Sequence, residues 1–431
     1  MTDNSEAIAA SELGRAPDTK ANFTGKHWQV IIFQGLLFFL GAGVTTHGLN
    51  VVIPTLSKTY NLDYAQLLAL ATPASWAGIV SSYLAAKASE KWGAKLTLLV
   101  CLLFTAVFYA ALGYASSMML FVVFFSGIAF FASGGAYIAG PSIIANWFPN
   151  KKDLAFGWTT IGQNLSSAFF VMLLAWFLAT FGPQWGFSGM SVLLVILFLL
   201  FAVFSKNTPE EAGCFPDNDP NWKQHAAVDE GNVGAVNPAL TTGALLRNKD
   251  VWLLGLGAGG VYIVLVGVLS QLVPRMMDMG LDLQTAIWYM SLSALIGTVG
   301  APFWGWLGQK IGTKWALAFY EAWWVVAIVI NLLAGSSVVI LWVSLLMIGL
   351  SLGGATNLTT SVVAGKFRRK AFAPAFGIVS PIQSIVRCFA FSILALGLNY
   401  LGGLAGAWAL LGGIGVLTVV CYLLVDPTPV E

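Results

Sequence analysis

Apolar residues gather along this chain into twelve runs, at roughly 28–53, 66–86, 95–114, 118–145, 155–181, 187–205, 251–273, 285–308, 314–334, 338–364, 374–400 and 404–425. A helix rises about 1.5 Å per residue and a bilayer's hydrocarbon layer is about 30 Å thick, so each run predicts a membrane-crossing helix. One long polar interruption, 206–250, splits the runs six and six, and its Pro, Gly and Asn content predicts a loop with little structure of its own. The expected divisions are a tail at 1–27, a six-helix bundle at 28–205, the linker 206–250, a second bundle at 251–425 and a tail at 426–431. The predicted class is all-α integral membrane, with twelve transmembrane helices in two pseudo-symmetric halves.

Composition excludes an ordinary soluble globule: of 431 residues, 58% are hydrophobic and only 9% charged. The formal net charge of +2 gives no basis for nucleic-acid binding. Basic residues act instead as topology signals. Lys20, Lys26, Lys87, Lys91, Lys95, Lys151, Lys152, Lys206, Arg247, Lys249, Lys310, Lys314, Lys366 and Arg368 fall on the side of the tails and linker, whereas the other side keeps only Lys58 and Arg275. That bias predicts a multi-pass protein of the cell (inner) membrane with both termini cytoplasmic. The first apolar run lacks a small-residue cleavage site and is expected to remain as a span. Cys101, Cys388 and Cys421 lie in apolar runs and Cys214 in the linker, so no disulfide framework follows.

The halves repeat. Glu90-Lys91-Trp92-Gly93-Ala94-Lys95 returns 219 positions later as Gln309-Lys310-Ile311-Gly312-Thr313-Lys314, and Ala155-Phe156-Gly157 returns 220 positions later as Ala375-Phe376-Gly377. Duplicated six-helix halves place a substrate site at the midplane between them.

These loops resemble the short-loop motif of the major facilitator superfamily, Gly-x-x-x-Asp-Arg-x-Gly-Arg-Lys, with Gly305 present in the second copy and Ala86 standing for it in the first. In that superfamily the loops latch the cytoplasmic gate, which here implicates Glu90, Lys91, Gly93, Lys310 and Gly312. Asn146-Trp147-Phe148-Pro149-Asn150-Lys151-Lys152 and Thr208-Pro209-Glu210-Glu211-Ala212-Gly213 resemble the branch of oxalate/formate exchangers and monocarboxylate porters. The proton-coupled porters carry an Arg before a Pro on the eighth helix and an Asp four residues earlier. This chain has Ala301 before Pro302, and Gly297 in the Asp position.

The eleventh run holds a single charge, Arg387, near the expected midplane. A guanidinium there costs roughly 2.5–3.5 kcal/mol, so it needs a partner. The one acidic residue inside an apolar run, Glu321, falls nearer the cytoplasmic end and is expected to pair with Lys310, Lys314 or the basic cluster from Lys366. The partner for Arg387 is then an anion arriving as substrate. Ser380, Gln383, Ser384 and Arg387 share one helical face, and the repeat carries it to Thr160, Gln163, Asn164 and Ser167 on the fifth helix. Against this stands the reading that such polar residues only bind helices together, at about 0.6 kcal/mol each.

Tyr137 lies ten residues before Trp147, the spacing of a cavity tyrosine in the resembled exchangers, and its repeat partner falls at Thr356-Asn357. By the same analogy Thr45 and Thr46 face the cavity. His47 and Glu321 are the candidates for proton coupling, His47 also reading as a neutral hydrogen-bonding group. No phosphate loop, nucleophile-base set or metal cluster stands out, so neither enzyme nor cofactor is expected, and no extramembrane domain beyond 206–250 supports a sensor.

The resemblance and the lone Arg together predict a secondary transporter. Its substrate would be a small organic monoanion, a carboxylate, moved by alternating access as anion exchange or proton symport. The partners are that anion, a proton or counter-transported anion, and the bilayer, for a chain acting as a monomer. The alternative is an exporter of a neutral or amphipathic compound in which Arg387 is purely structural.

Overall fold

The computed structural model describes residues 20–220, 241–335, 337–426 and 428, and every regular element among them is a helix. In chain order these are α1 (25–60), α2 (64–92), α3 (Ala94–Leu112), α4 (Met118–Trp147), α5 (152–181), α6 (183–204), α7 (Lys249–Asp278), α8 (Leu283–Ile311), α9 (Thr313–Leu333), α10 (338–367), α11 (Ala371–Tyr400) and α12 (Leu404–Leu424). Eight described helices are long and apolar enough to cross a bilayer, nine when the two parts of α10, bent by 45°, count as one. Those that fall short are α2 and the first part of α5, whose breaks leave helical pieces of 12, 16 and 14 residues, and α8, which gives part of its surface to Gly, Ser, Thr and Gln.

Several spans are broken where the apolar pattern predicts continuity. α2 is interrupted at Trp76, and α11 turns at Cys388–Phe389. The α5–α6 corner is made by Gly182, at φ 73°, ahead of Pro183. The repeat survives in backbone form: the α2–α3 corner at Gly93 has φ 89°, and the α8–α9 corner at Gly312 has φ 87°. That region is cheap only for glycine, which explains why both copies keep it.

The halves meet through two seams of small residues. On α8, a methyl added at Gly305 would lie 2.9 Å from Gly157 Cα on α5; on α11, one at Gly377 would lie 2.4 Å from the Ala86 methyl on α2. Gly305 and Ala86 are related by the 219-residue repeat, and Gly377 and Gly157 by 220, so the seams are two copies of one contact. Polar bonds reinforce them. The Thr313 hydroxyl donates to the Asp153 carboxylate at 2.9 Å, Gln309 donates to the Asn150 carbonyl at 3.0 Å, and the Ser380 and Ser82 hydroxyls lie 3.4 Å apart. All lie at the end of the bundle that carries the linker. At the opposite end no hydrogen bond joins the halves among the described residues, so the polar bonds between the halves gather toward the linker face.

The linker departs from its prediction as an unstructured loop. Residues 206–219 form two short turns, Glu210–Ala212 and Pro216–Asn218, and dock on the first half. Trp147 donates to the Lys206 carbonyl, Lys26 to that of Ala212, and the His27 ring bonds that of Phe215 at 2.9 Å. The buried Asp217 carboxylate accepts the backbone N–H groups of Asn150 and Lys151, each at 2.9 Å. The two branch-like motifs, around Trp147 and Pro209, are therefore parts of one structure. Residues 221–240 lie outside the described residues, as do 1–19.

At the far end of the chain, Lys366 is buried and pairs with the buried Asp250 at 2.7 Å. Its ammonium also donates to the carbonyls of Asp426 and Thr428, at 3.0 and 2.8 Å. The start of α7, the end of α10 and the chain's last described residues are thus tied at one point.

Candidate functional site

Arg387 lies near the middle of α11, immediately before its break, and is exposed. Its guanidinium carbon sits 5.8 Å from the ring centroid of Tyr262 on α7. No hydrogen bond or ion pair to Arg387 occurs among the described residues. A cation over an aromatic face gains about 0.5–2 kcal/mol, which orients the group without neutralising it. The Tyr262 hydroxyl is held by the Thr356 hydroxyl of α10 at 2.8 Å. Tyr262 is absent from the sequence reading. The repeat was a usable signal, because carrying Thr45 forward by 219 lands on Val264, within a turn of Tyr262.

The facing half supplies Tyr137, whose side chain lies beside Thr45 and within electrostatic reach of both Tyr262 and Arg387. Tyr137 stands in a π-helical turn, Gly135–Ala139, in mid-α4. Buried Gln34 of α1 donates to the Ala136 carbonyl of that turn at 3.1 Å. Thr45 and Thr46 lie in a second π turn, Gly43–His47, and a third occupies Ser166–Phe170 on α5. Such turns frequently mark functional positions, because the wider coil re-aims side chains. Thr45 donates to the Gly41 carbonyl at 2.7 Å, and Thr46 is exposed beside it. His47 closes its turn half-buried, without a charged partner among the described residues.

The remaining polar candidates divide. Gln383 and Ser384 are half-buried within a turn of Arg387, and Gln163 is half-buried with its amide oxygen unpartnered. Asn164 bridges the halves, donating to the Gly297 carbonyl of α8 at 2.9 Å. Asn357, expected in the cavity, is fully buried and donates to the Ala301 carbonyl at 3.2 Å, against Gly157 and Gly305. It belongs to the seam because the bend in α10 turns that face toward α8. Gly297 and Ala301 stand where the resembled porters keep Asp and Arg. Here those positions are the surface on which Asn164 and Asn357 dock.

The loop charges do not span the halves. Glu90 pairs with Lys87 one turn away, while Lys91 lies over Trp92 and Lys310 over Trp306. Closure falls instead to Asp153, Thr313 and the small residues, with Gly93 and Gly312 setting the corners.

Glu321 also departs from expectation. It is fully buried, and neither carboxylate oxygen has a hydrogen-bond partner. It reaches no lysine because it faces α12, with Oε2 3.7 Å from where a methyl would stand on Gly415. Among the described residues no His, Cys, Asp and Glu cluster could hold a metal ion.

The Major Facilitator Superfamily pattern matches residues 31–310 and 276–431. The chain is 22% identical to the 4-hydroxybenzoate transporter PcaK of Acinetobacter baylyi over 93% of this chain and 88% of that one. It is 26% identical to the oxalate:formate antiporter of Oxalobacter formigenes, over 38% of this chain and 36% of that one. The solved structure of the proton:xylose symporter XylE bound to 6-bromo-6-deoxy-D-glucose superposes with a TM-score of 0.71 at 14% identity, covering 93% of this chain and 95% of that one. Twelve helices in two repeated halves, matched by that pattern over residues 31–431, make this chain a member of the Major Facilitator Superfamily.

Proposed function

We propose that the protein is a secondary transporter of a small organic monoanion, a carboxylate, bound between the halves at Arg387. The observation that carries this is a midspan guanidinium with an aromatic platform and, among the described residues, no carboxylate paired with it. A substrate carboxylate would accept from Arg387 and from the Tyr137 hydroxyl, and a single fixed cation matches a single negative charge. Gln163, Gln383, Ser384, Thr45 and Thr46 are the polar side chains available to the rest of the substrate. The relatives' names, a hydroxybenzoate transporter and an oxalate:formate antiporter, concern organic anions of this kind.

On this reading the excess of basic residues makes the linker face the cytoplasmic one in the inner membrane, and the bonds between the halves toward that face support an outward-open state. Rocking the halves about the site would open the linker face. An empty, occluded site would leave Arg387 unpaired at low dielectric, which favours exchange, or entry of the anion with a proton, over return of an empty carrier.

The test is displacement binding on the purified protein with formate, oxalate and 4-hydroxybenzoate as probes. Monoanions should compete, and Arg387→Gln should weaken their binding by at least about tenfold, as loss of a charge-assisted pair does. Unchanged binding in Arg387→Gln would reject the anion site and favour a neutral cargo.

A further inference from the structure

Beside the central cleft, the second half encloses a polar cluster that anion binding does not use. Glu321 on α9 is fully buried with both carboxylate oxygens unpartnered, and the Tyr422 hydroxyl on α12, also buried, is unpartnered too. The titratable groups that act on it are Tyr320 from its own helix and Tyr422 from α12, which in turn lie within reach of Cys421 and of Tyr262 on α7. α8 and α10 present none to it, and no lysine, arginine or histidine among the described residues pairs with it. An isolated carboxylate in such a place is far costlier than the neutral acid. Helix α7 joins this cluster to Arg387: a methyl on Gly415 would stand 3.7 Å from Glu321 Oε2 and 3.9 Å from Val264 of α7, and two residues earlier the Tyr262 ring carries Arg387.

Resting on the anion reading above, we propose that Glu321 is the carrier's proton-binding site, linked to Arg387 through helix α7, so that one proton crosses with each monoanion. The charge count explains the pairing. With the anion on Arg387 the site is neutral and Glu321 keeps its proton. When the anion leaves, Glu321 releases that proton to solvent, and its negative charge offsets Arg387 during the return. The free Tyr422 hydroxyl is the donor available to the ionised form. Both crossings then carry no net charge through the core, which lets the empty carrier return.

Two measurements test this. The first needs no substrate: infrared difference spectra of the full-length protein in lipid nanodiscs, titrated from acid to alkaline pH. Wild type should lose a protonated-carboxyl C=O band that Glu321→Gln lacks throughout, and Tyr422→Phe should move that loss to higher pH. A band unchanged in Glu321→Gln, or indifferent to Tyr422→Phe, overturns the proposal. The second uses proteoliposomes with labelled 4-hydroxybenzoate and formate. A gradient of about one pH unit, acid outside, should sustain about tenfold accumulation in wild type and none in Glu321→Gln, while counterflow with probe on both sides persists. Equal accumulation in Glu321→Gln also overturns it. If binding proves indifferent to Arg387→Gln, the anion site fails, while the infrared titration still decides Glu321.

Discussion

At the scale of single residues, the site is a cation held in place without being neutralised. The Tyr262 ring does the holding. Tyr262→Phe should keep the platform and lose only the bond to Thr356, changing probe affinity by less than about fivefold. Tyr262→Leu should weaken it by roughly three- to thirtyfold, the range of a cation–π contact, as read by titration calorimetry. Equal effects of Phe and Leu would show that the hydroxyl, not the ring, matters. A second residue makes the linker pH-sensitive. Burial pushes the Asp217 carboxyl up to about 6, against the two N–H donors that pull it down. Its folded value lies above its unfolded one, so its contribution is fully present below pH ~4 and is lost as pH rises through about 6. The span corresponds to roughly 2–3 kcal/mol. After division by the intrinsic, base-catalysed rate, the amides of Asn150 and Lys151 should therefore be less protected at pH 7 than at pH 5, and Asp217→Asn should flatten that difference.

At the scale of helices, the seams decide which face is shut. Glycine at 305 and 377 lets backbones approach to distances that a side chain forbids. Gly305→Leu or Gly377→Leu should cost about 1–3 kcal/mol of the closed linker face by overpacking, and bias the protein toward opening there. Thiol labelling of a cysteine placed at Gln309 would report it as faster modification. These crossings were half legible in the sequence: the repeat named Gly157, Gly305 and Gly377, but not that they meet. Span number was legible because apolar length alone sets it. The π turns and the break after Arg387 were not, since they depend on how neighbouring helices satisfy displaced backbone groups, as Gln34 does for Ala136. Glu321 was misread for a related reason. Its depth follows from counting residues, but its direction follows from the rotation of α9 against Gly415, which counting does not give.

At the scale of the whole molecule, the proposed alternating cycle requires the seams that join the halves toward the linker face to open. Ser82 and Ser380, with hydroxyls 3.4 Å apart across the second seam, offer a lock. The double variant Ser82→Cys with Ser380→Cys should form a disulfide that abolishes transport in proteoliposomes, with activity returning on reduction and each single variant remaining active. Transport that survives complete oxidation would mean that the seam need not open.

The knot at Lys366 bears on how the polypeptide can be handled. Three oxygens surround that ammonium, and two of them are backbone carbonyls of the last few residues, Asp426 and Thr428. A purification tag spliced on at Val425, or a truncation there, would strip away two of the three. One carboxylate would be left to solvate a sequestered amine, so any fusion or truncation should spare residues 426–428.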